Sequence, residues 1–152
     1  MDTPFQLTSQ AFTNGDTIPD AYTCRGQNIC PPLHIQGVPT GTDNLAMIVH
    51  DPDAPHGDYL HWALWGINPD VADLGEYIVP NGAFQGANSD GKAAYIAPCP
   101  PSGTHRYIFD LYALDAQLDL AEGAAREDVM AAINDHRTAR VSLMGTVSAE
   151  VH

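Results

Sequence analysis

Short apolar segments separated by turn-forming residues dominate the pattern of this chain. The segments 45–50 (LAMIVH) and 62–67 (WALWGI) are almost entirely apolar, as expected of buried strands. The segment 105–114 (HRYIFDLYAL) is rich in aromatic and β-branched residues, which favour extended structure, and 141–147 (VSLMGTV) predicts a last strand. The 12 prolines and 13 glycines along the chain interrupt long helices. The pattern therefore predicts a mostly β protein.

One segment has the period of a helix. In 124–136 (AAREDVMAAINDH), the apolar residues Val129, Met130 and Ile133 form a stripe that predicts packing against a core. A second segment, 81–101, is rich in Gly, Ala, Asn, Ser and Pro and predicts a long irregular loop. Loops of that length inside a compact domain are usually functional or disordered.

Length and charge limit the classes of function. With 152 residues, 44% of them hydrophobic, the chain suits one compact domain spanning 1–152. The net charge of -13 repels phosphate backbones, so nucleic acid is not expected as a partner. No apolar stretch reaches the roughly 18 residues of a membrane span, and the start, MDTPFQLTSQ, lacks the pattern of a signal peptide. We therefore expect a cytoplasmic protein that is not integral to a membrane.

The cysteines do not form a recognisable framework. Cys24, Cys30 and Cys99 are too few for a disulfide scaffold, and their spacing differs from the close pairs of structural zinc sites. We expect reduced structural thiols, with a Cys24–Cys30 bridge as the alternative.

Ionisable side chains gather around the predicted strand ends. Asp51 and Asp53 follow the first buried strand, and residues two apart on extended backbone share a face. The next strand brings His61 back toward these aspartates, while His105 and Tyr107 also lie two apart. Histidines oriented by carboxylates can bind a small oxyanion through their outward ring nitrogens. We expect the aspartates to favour the imidazolium forms of His61 and His105, so that anion affinity rises as pH falls.

A proline-rich segment, 97–104 (APCPPSGT), leads into the pair of His105 and Tyr107. Its prolines fix φ and remove backbone donors, which leaves a stiff loop able to hold a small cavity open. A nucleophile at Cys99 or Ser102 and a metal site of two His and two Asp are alternatives, but neither has the spacing typical of its class. We interpret the remaining histidines as ordinary polar residues: His34, His50, His56, His136 and His152.

Four segments together resemble the phosphatidylethanolamine-binding proteins, in particular their prokaryotic Raf kinase inhibitor-like branch. They are CRGQNICPPL from Cys24, PTGTDNLAMIVHDPDAP through Pro55, HWALWGINPD from His61 and PCPPSGTHRYIFDLYALD through Asp115. The resemblance covers nearly the whole chain in order, and its DPDAP, HW and PP-x-G-x-HRY elements are specific.

This resemblance implies a β-sandwich of two antiparallel sheets in Greek-key style, with one or two peripheral helices and a small anion pocket. It implies a non-enzymatic protein, monomeric or homodimeric, without a metal or other cofactor. The expected ligand is phosphate, phosphoethanolamine, a phospholipid head group or a related carboxylate, and the expected protein partner is a kinase or protease that the protein regulates. A hydrolase that uses the His and Asp side chains as general acid and base, with or without a metal, is the alternative. The residues that match the family's pocket are Asp51, Asp53, His61, Cys99, Pro100, Pro101, His105 and Tyr107.

Three further expectations concern this pocket. Relatives in this branch usually have G-Y-G-G before PCPP, whereas this chain has AYIA at 94–97, which puts bulk where glycines let a ligand approach. The tight turns beside the pocket predict a cis Ala54–Pro55 bond, with Pro100–Pro101 as a second candidate. We also expect His105 to matter far more for binding than for folding.

Overall fold

The computed structural model describes residues 3–76 and 79–149. The described part of the chain contains one α-helix, α1 (Arg126–His136), which precedes the last strand, and one short 3-10 helix, Asp20–Tyr22, which follows the first strand. The strands are β1 (Gln6–Thr8), β2 (Cys30–Gln36), β3 (Asn44–Asp51), β4 (Tyr59–Ile67), β5 (Asp73–Glu76), β6 (Phe84–Gln85), β7 (Thr104–Leu114) and β8 (Arg137–Ser148).

These strands form two antiparallel sheets. A three-stranded sheet has the order β1-β2-β5, and a five-stranded sheet has the order β6-β4-β3-β7-β8. The chain passes from the small sheet to the large one after β2, returns for β5, and then completes the large sheet. Two antiparallel sheets with one helix, in the ranges described, confirm the predicted mostly β fold.

The five-stranded sheet is covered on both faces, which explains why its central strand is apolar at nearly every position. In β3, Leu45, Met47 and Val49 pack into the core between the sheets, whereas Ala46 and Ile48 pack into a second core beneath α1. None of these five side chains is more than 2% exposed. A sheet with one solvated face would show alternating polar residues instead. The run LAMIVH is therefore typical of a central strand.

Helix α1 closes the second core. Val129 and Ile133, one turn apart, are fully buried there. The helix begins at Arg126 and not at Ala124 as predicted, because Ala125 has an extended backbone, with φ -69° and ψ 151°. In the part of the chain that the structure describes, no helix is long and apolar enough to cross a membrane.

Three strand ends meet at one edge of the large sheet. β3 ends at Asp51, and β4 begins opposite it at Tyr59. β3 also pairs with β7, which brings the first residues of β7 to the same edge. The predicted loop 81–101 is irregular apart from β6 and passes this edge, where the Ile96 amide donates to the carbonyl oxygen of His61 at 3.0 Å. The polar residues at these strand ends therefore converge.

A β-bulge near the start of β4 sets the position of His61. Two consecutive residues of β3 pair with Leu60 and Trp62, so His61 is the extra residue of the bulge. Leu60 consequently packs into the core beneath α1 and Trp62 into the core between the sheets. Bulges often re-aim side chains beside functional sites. Here the His61 ring lies edge-on to the ring of Tyr107, with 5.3 Å between centroids.

Candidate functional site

A cavity of about 660 Å³ opens where these strand ends meet, and we call it the pocket. Its walls come from the β3–β4 hairpin loop, the starts of β4 and β7, and the segment 96–101. All the predicted site residues except Asp53 line it: Asp51, His61, Cys99, Pro100, Pro101, His105 and Tyr107.

A buried carboxylate–imidazole pair forms the floor of the pocket. His105 Nδ1 donates to Asp51 Oδ2 at 2.7 Å, and the other Asp51 oxygen accepts the Asp53 amide at 2.8 Å. The side chains of His105 and Asp51 are only 9% and 4% exposed. Because Nδ1 is engaged, the remaining nitrogen of His105, Nε2, is the one available to a ligand. It accepts when the ring is neutral and donates when the ring is charged.

His61 is oriented by the backbone and not by an aspartate. Its Nδ1 donates to the carbonyl oxygen of Ile96 at 2.7 Å, so the neutral ring carries its acceptor at Nε2. Burial lowers the pKa of His61, although the Ile96 carbonyl and the charge of Asp51 oppose that shift. The charge of Asp51 thus favours the imidazolium form of His61 as expected, but burial outweighs it, so the expected net preference for the charged ring is wrong. At neutral pH this residue offers the pocket an acceptor.

Two tyrosines complete the polar lining near these histidines. Burial and the nearby Asp51 carboxylate raise the pKa of Tyr107, so its hydroxyl stays protonated. Burial and a hydrogen bond to Asp90 raise the pKa of Tyr59 to about 12. Both phenols are therefore neutral hydroxyl groups over the physiological pH range, and their rings supply apolar surface.

Asp53 does not line the pocket, unlike the other residues that match the family's pocket. Its carboxylate accepts from the Arg106 amide at 2.9 Å and from the Arg106 guanidinium through Nε and one terminal nitrogen, each also at 2.9 Å. These hydrogen bonds lower the pKa of Asp53 to about 2. Asp53 thus ties the hairpin loop to β7, and it is Asp51 alone that orients His105.

A disulfide joins the pocket wall to a distant part of the chain. Cys24 and Cys99 are bonded across a sequence separation of 75, and Cys30 is a buried free thiol. Both interpretations from the sequence, reduced thiols throughout and a Cys24–Cys30 bridge, are therefore wrong. The reason is that Cys30 points into the core between the sheets, whereas the amide of Cys24 bonds to the Pro98 carbonyl beside the pocket, at 2.9 Å.

The segment AYIA does bring bulk to the pocket, but through only half of its residues. Ile96 and Ala97 line the cavity. Tyr95 turns the other way and lies edge-on to Trp62, with 5.4 Å between ring centroids. In the described ranges the Tyr95 hydroxyl is buried without a hydrogen-bond partner, and burial raises its pKa.

Sequence reasoning missed part of the lining. His56, Asp58 and Tyr59 also line the pocket. They belong to the hairpin loop and the first residue of β4, so their position depends on the register between β3 and β4. The repeated Asp and His residues of DPDAPHGDY were the available signal, but their side-chain directions in a loop do not follow from alternation.

His50, interpreted from the sequence as an ordinary polar residue, bridges two carboxylates behind the pocket. Its Nδ1 lies 2.8 Å from Asp58 and its Nε2 lies 3.0 Å from Asp110. Burial alone would lower the pKa of His50, but the hydrogen bonds to Asp110 and Asp58 outweigh it and raise the pKa. Arg126 at the start of α1 also pairs with Asp58. The hairpin loop is thereby held to both the sheet and the helix.

The charges of the pocket come from carboxylates and imidazoles. Within 3–76 and 79–149, no Lys or Arg lines it, whereas Asp51, Asp58, His56, His61 and His105 do. In the same ranges no group of three or more His, Cys, Asp or Glu side chains is arranged to hold a metal ion. Positive charge for an anion can therefore come only from protonated histidine among the described lining residues.

The backbone beside the pocket differs from the prediction in one respect. No cis peptide bond occurs in the described residues, so the expected cis bonds at Ala54–Pro55 and Pro100–Pro101 are wrong. The turn after β3 is instead supported by Asp51, whose side chain accepts the amide two residues later, a local bond typical of aspartate in turns.

Comparisons with known proteins agree on one family. The model of the family described as phosphatidylethanolamine-binding protein matches residues 8–148. A UPF0098 protein of Methanothermobacter thermautotrophicus is 46% identical over 144 residues, covering 91% of this chain and 95% of that protein. A UPF0098 protein of Chlamydia trachomatis is 42% identical over 146 residues, covering 93% and 97%.

Two solved structures are similar throughout their length. One, described as a phosphatidylethanolamine-binding protein homologue from Chlamydia trachomatis, has a TM-score of 0.91 and 41% identity, covering 96% of this chain and 98% of that one. The other is Escherichia coli YbcL, described as a member of the mammalian family, with a TM-score of 0.89 and 29% identity, covering 96% and 99%.

Proposed function

Because the chain belongs to the phosphatidylethanolamine-binding protein family, we propose that its pocket binds a small ligand carrying a phosphate or carboxylate group, and that the protein is a binding module without enzymatic activity. The observation that carries this proposal is the pair of Asp51 and His105. A buried carboxylate 2.7 Å from Nδ1 fixes the orientation and tautomer of His105 and leaves Nε2 available to an oxyanion.

The acceptors in the pocket favour a ligand that has donors as well as an anionic group. Neutral His61 offers an acceptor at Nε2, and the carboxylates of Asp51 and Asp58 repel a bare dianion. An ammonium group placed near these carboxylates and the Tyr59 ring would gain both ionic and cation–π attraction. Phosphoethanolamine, free or as a lipid head group, meets these requirements better than inorganic phosphate. The expected kinase or protease partner rests on the family resemblance alone.

The test is calorimetric titration of the wild type and two variants with phosphoethanolamine, inorganic phosphate and acetate. His105→Gln should weaken phosphoethanolamine binding at least about tenfold, because it removes a charge-assisted hydrogen bond. His34→Gln is the matched control, since His34 Nδ1 also lies 2.8 Å from an aspartate, Asp73, but on the exposed face of the small sheet. Equal affinity in the wild type and His105→Gln, or no heat with any probe, would overturn the proposal.

The same samples test the hydrolase alternative. While Cys99 is part of a disulfide its sulfur is no thiolate nucleophile, and Ser102 is not among the lining residues of the described pocket. We therefore expect no release of inorganic phosphate from phosphoethanolamine. Release that scales with protein concentration and is lost in His105→Gln would replace the binding module with a hydrolase.

A further inference from the structure

The disulfide between Cys24 and Cys99 lies at the protein surface. Cys24 and Cys99 are both exposed, although their neighbours Thr23, Pro98 and Pro100 are buried. Cys99 also lines the pocket. Exposed disulfides are the ones that small thiols reach, and they are generally more labile than buried structural bridges. The bond therefore lies where a thiol and a pocket ligand can both approach it.

This disulfide is the main attachment of one pocket wall. Pro98, Pro100 and Pro101 have no amide hydrogen, so the segment 98–101 can donate few backbone bonds. Its described attachments to the turn at 23–28 are the disulfide and the bond from the Cys24 amide to the Pro98 carbonyl. Just before it, the Ala97 amide donates to the Asn28 side chain at 2.7 Å. Without the covalent link, this wall would be held by a few hydrogen bonds and by the packing of the buried Pro98 and Pro100.

We propose that the Cys24–Cys99 disulfide is a thiol–disulfide exchange site on the pocket wall, that its co-reactant is a low-molecular-weight thiol, and that its opening loosens segment 98–101. The exchange is a property of the disulfide alone, whereas its effect on ligand affinity rests on the proposed function. The bond stays closed in an oxidising environment, and it opens where free thiols are abundant. The affinity of the pocket for its ligand would then depend on the redox state of the surroundings.

Complete reduction of the disulfide consumes two molecules of the small thiol. A thiolate RS⁻ attacks one sulfur of the bridge, the S–S bond breaks, and a mixed disulfide with one cysteine forms as the other cysteine leaves as a thiolate. A second RS⁻ attacks the mixed disulfide, which gives RSSR and the second cysteine thiolate; both protein thiolates then take protons from water at neutral pH. Two electrons pass from the small thiols to the protein disulfide.

The third cysteine does not take part in this exchange. Cys30 is 2% exposed within the core between the sheets, and burial raises the pKa of its thiol. A buried, protonated thiol is a poor nucleophile. Reduction of the bridge should therefore leave a simple dithiol, without reshuffling to a Cys30 disulfide.

The exchange is tested on the native protein without any ligand. The wild type is equilibrated with mixtures of reduced and oxidised glutathione, quenched with acid, alkylated and examined by mass spectrometry. We expect a reversible loss of the disulfide with alkylation at Cys24 and Cys99, and a mixed disulfide with glutathione at intermediate ratios. Cys30→Ala is the control and should give the same curve. A bridge that stays closed in excess reduced glutathione until the protein unfolds would overturn the proposal.

The loosening is tested by hydrogen exchange on oxidised and reduced wild type, with Cys24→Ser/Cys99→Ser as an independent mimic of the open state. The amides of Ile96 and Ala97 should exchange at least about tenfold faster once the link is open, whereas the Phe109 amide in β7 should not change. Unchanged exchange in reduced wild type would reject the loosening, whether or not the double variant folds.

Calorimetry with phosphoethanolamine then separates this inference from the proposed function. If the oxidised protein binds and the reduced protein binds about three- to tenfold more weakly, loss of a preorganised wall explains the difference. Equal affinities with faster amide exchange would reject the link to binding. Absence of binding in both forms would reject the proposed function. The exchange site would then still be tested independently by the glutathione titration.

Discussion

Asp51 at the end of β3 and His105 at the start of β7 form a hydrogen bond of 2.7 Å, and both side chains are less than a tenth exposed. The pair joins neighbouring strands at the edge where the pocket opens. Because a buried carboxylate that loses its partner is costly, this relationship connects the binding chemistry to the stability of the fold. The sequence predicts that His105 matters far more for binding than for folding, whereas the buried pair leads us to expect a cost in folding as well.

Replacing His105 with Gln should weaken phosphoethanolamine binding at least about tenfold and also lower the free energy of unfolding by about 1 to 3 kcal/mol, because a hydrogen bond to a buried charge is lost. Urea denaturation beside calorimetry measures both. Asp51→Asn and the double variant complete a thermodynamic cycle, which should show a coupling energy of at least about 0.5 kcal/mol. Additive effects of the two substitutions would contradict a direct interaction.

Asp53→Asn should change ligand affinity by no more than about threefold, since Asp53 pairs with the exposed Arg106 and exposed ion pairs contribute little. Asp51→Asn, two residues earlier, should cost at least about tenfold. Arg106→Gln is the matched control and should behave like Asp53→Asn. Because the pKa of Asp53 is lowered to about 2, its contribution to stability is present above pH 3.8 and is lost as pH falls toward 2. Equal losses of affinity at both aspartates would contradict this assignment.

Local patterns predicted the strands β3, β4, β7 and β8 of the large sheet, but not β6 or any strand of the small sheet. They also indicated that several polar residues of the pocket lie close together. Buried runs such as LAMIVH identify central strands, and the HRY element puts His105 and Tyr107 on one face by alternation. Alternation could not give the direction of the His61 side chain, because a bulge that the sequence does not mark shifts the register there by one residue. It also failed to separate Asp51 from Asp53, since the chain has already turned between them.

Long-range pairings could not be predicted from the sequence, for a different reason. The partner of Cys99 lies 75 positions away, and it is the path of the segment 98–101 past the turn at Cys24 that selects it over Cys30. The bridge from His50 to Asp58 and Asp110 likewise joins three separate positions of the chain. Such contacts depend on how distant strands and loops are brought together in the fold, and no local pattern carries that information.

Tyr95→Phe should leave the free energy of unfolding unchanged or raise it by about 1 kcal/mol. The Tyr95 hydroxyl is buried without a partner among the described residues, so the phenol loses its hydration on folding and gains no hydrogen bond in return. Tyr107→Phe is the control, because the Tyr107 hydroxyl interacts with Asp51 and its loss should cost about 1 kcal/mol. Thermal melts of both variants measure the difference. A marked destabilisation by Tyr95→Phe would show that the hydroxyl is satisfied.

The bridge formed by His50 should stabilise the fold over only part of the pH range. The pKa of His50 is raised above its ordinary 6.5, since the bonds to Asp110 and Asp58 outweigh its burial. The folded state thus holds its proton more tightly than the unfolded state does. Its contribution is fully present below pH 6.5 and is lost as pH rises through the higher folded pKa.

Two other groups titrate nearby and have to be separated from His50. His61, whose pKa is lowered, gives the opposite slope, because its contribution is lost as pH falls below 6.5. Asp110, hydrogen-bonded to His50 and Ser142 with its pKa lowered, loses its contribution only as pH falls below 3.8. The raw pH profile of the wild type therefore mixes at least two opposing slopes, and only a difference between variants isolates the bridge.

We therefore expect the difference in the free energy of unfolding between wild type and His50→Gln to reach about 1.5 to 3 kcal/mol near pH 5.5, as for hydrogen bonds to a charged group. It should shrink steadily as pH rises above 6.5, because the wild-type ring loses the proton that lets it donate to both carboxylates. His34→Gln, which removes an exposed His–Asp pair in the small sheet, should show a smaller difference throughout. Urea denaturation at constant ionic strength from about pH 5.5 to 9 measures these curves. A difference that is independent of pH, or that grows with pH, would show that His50 is not charged in the folded protein.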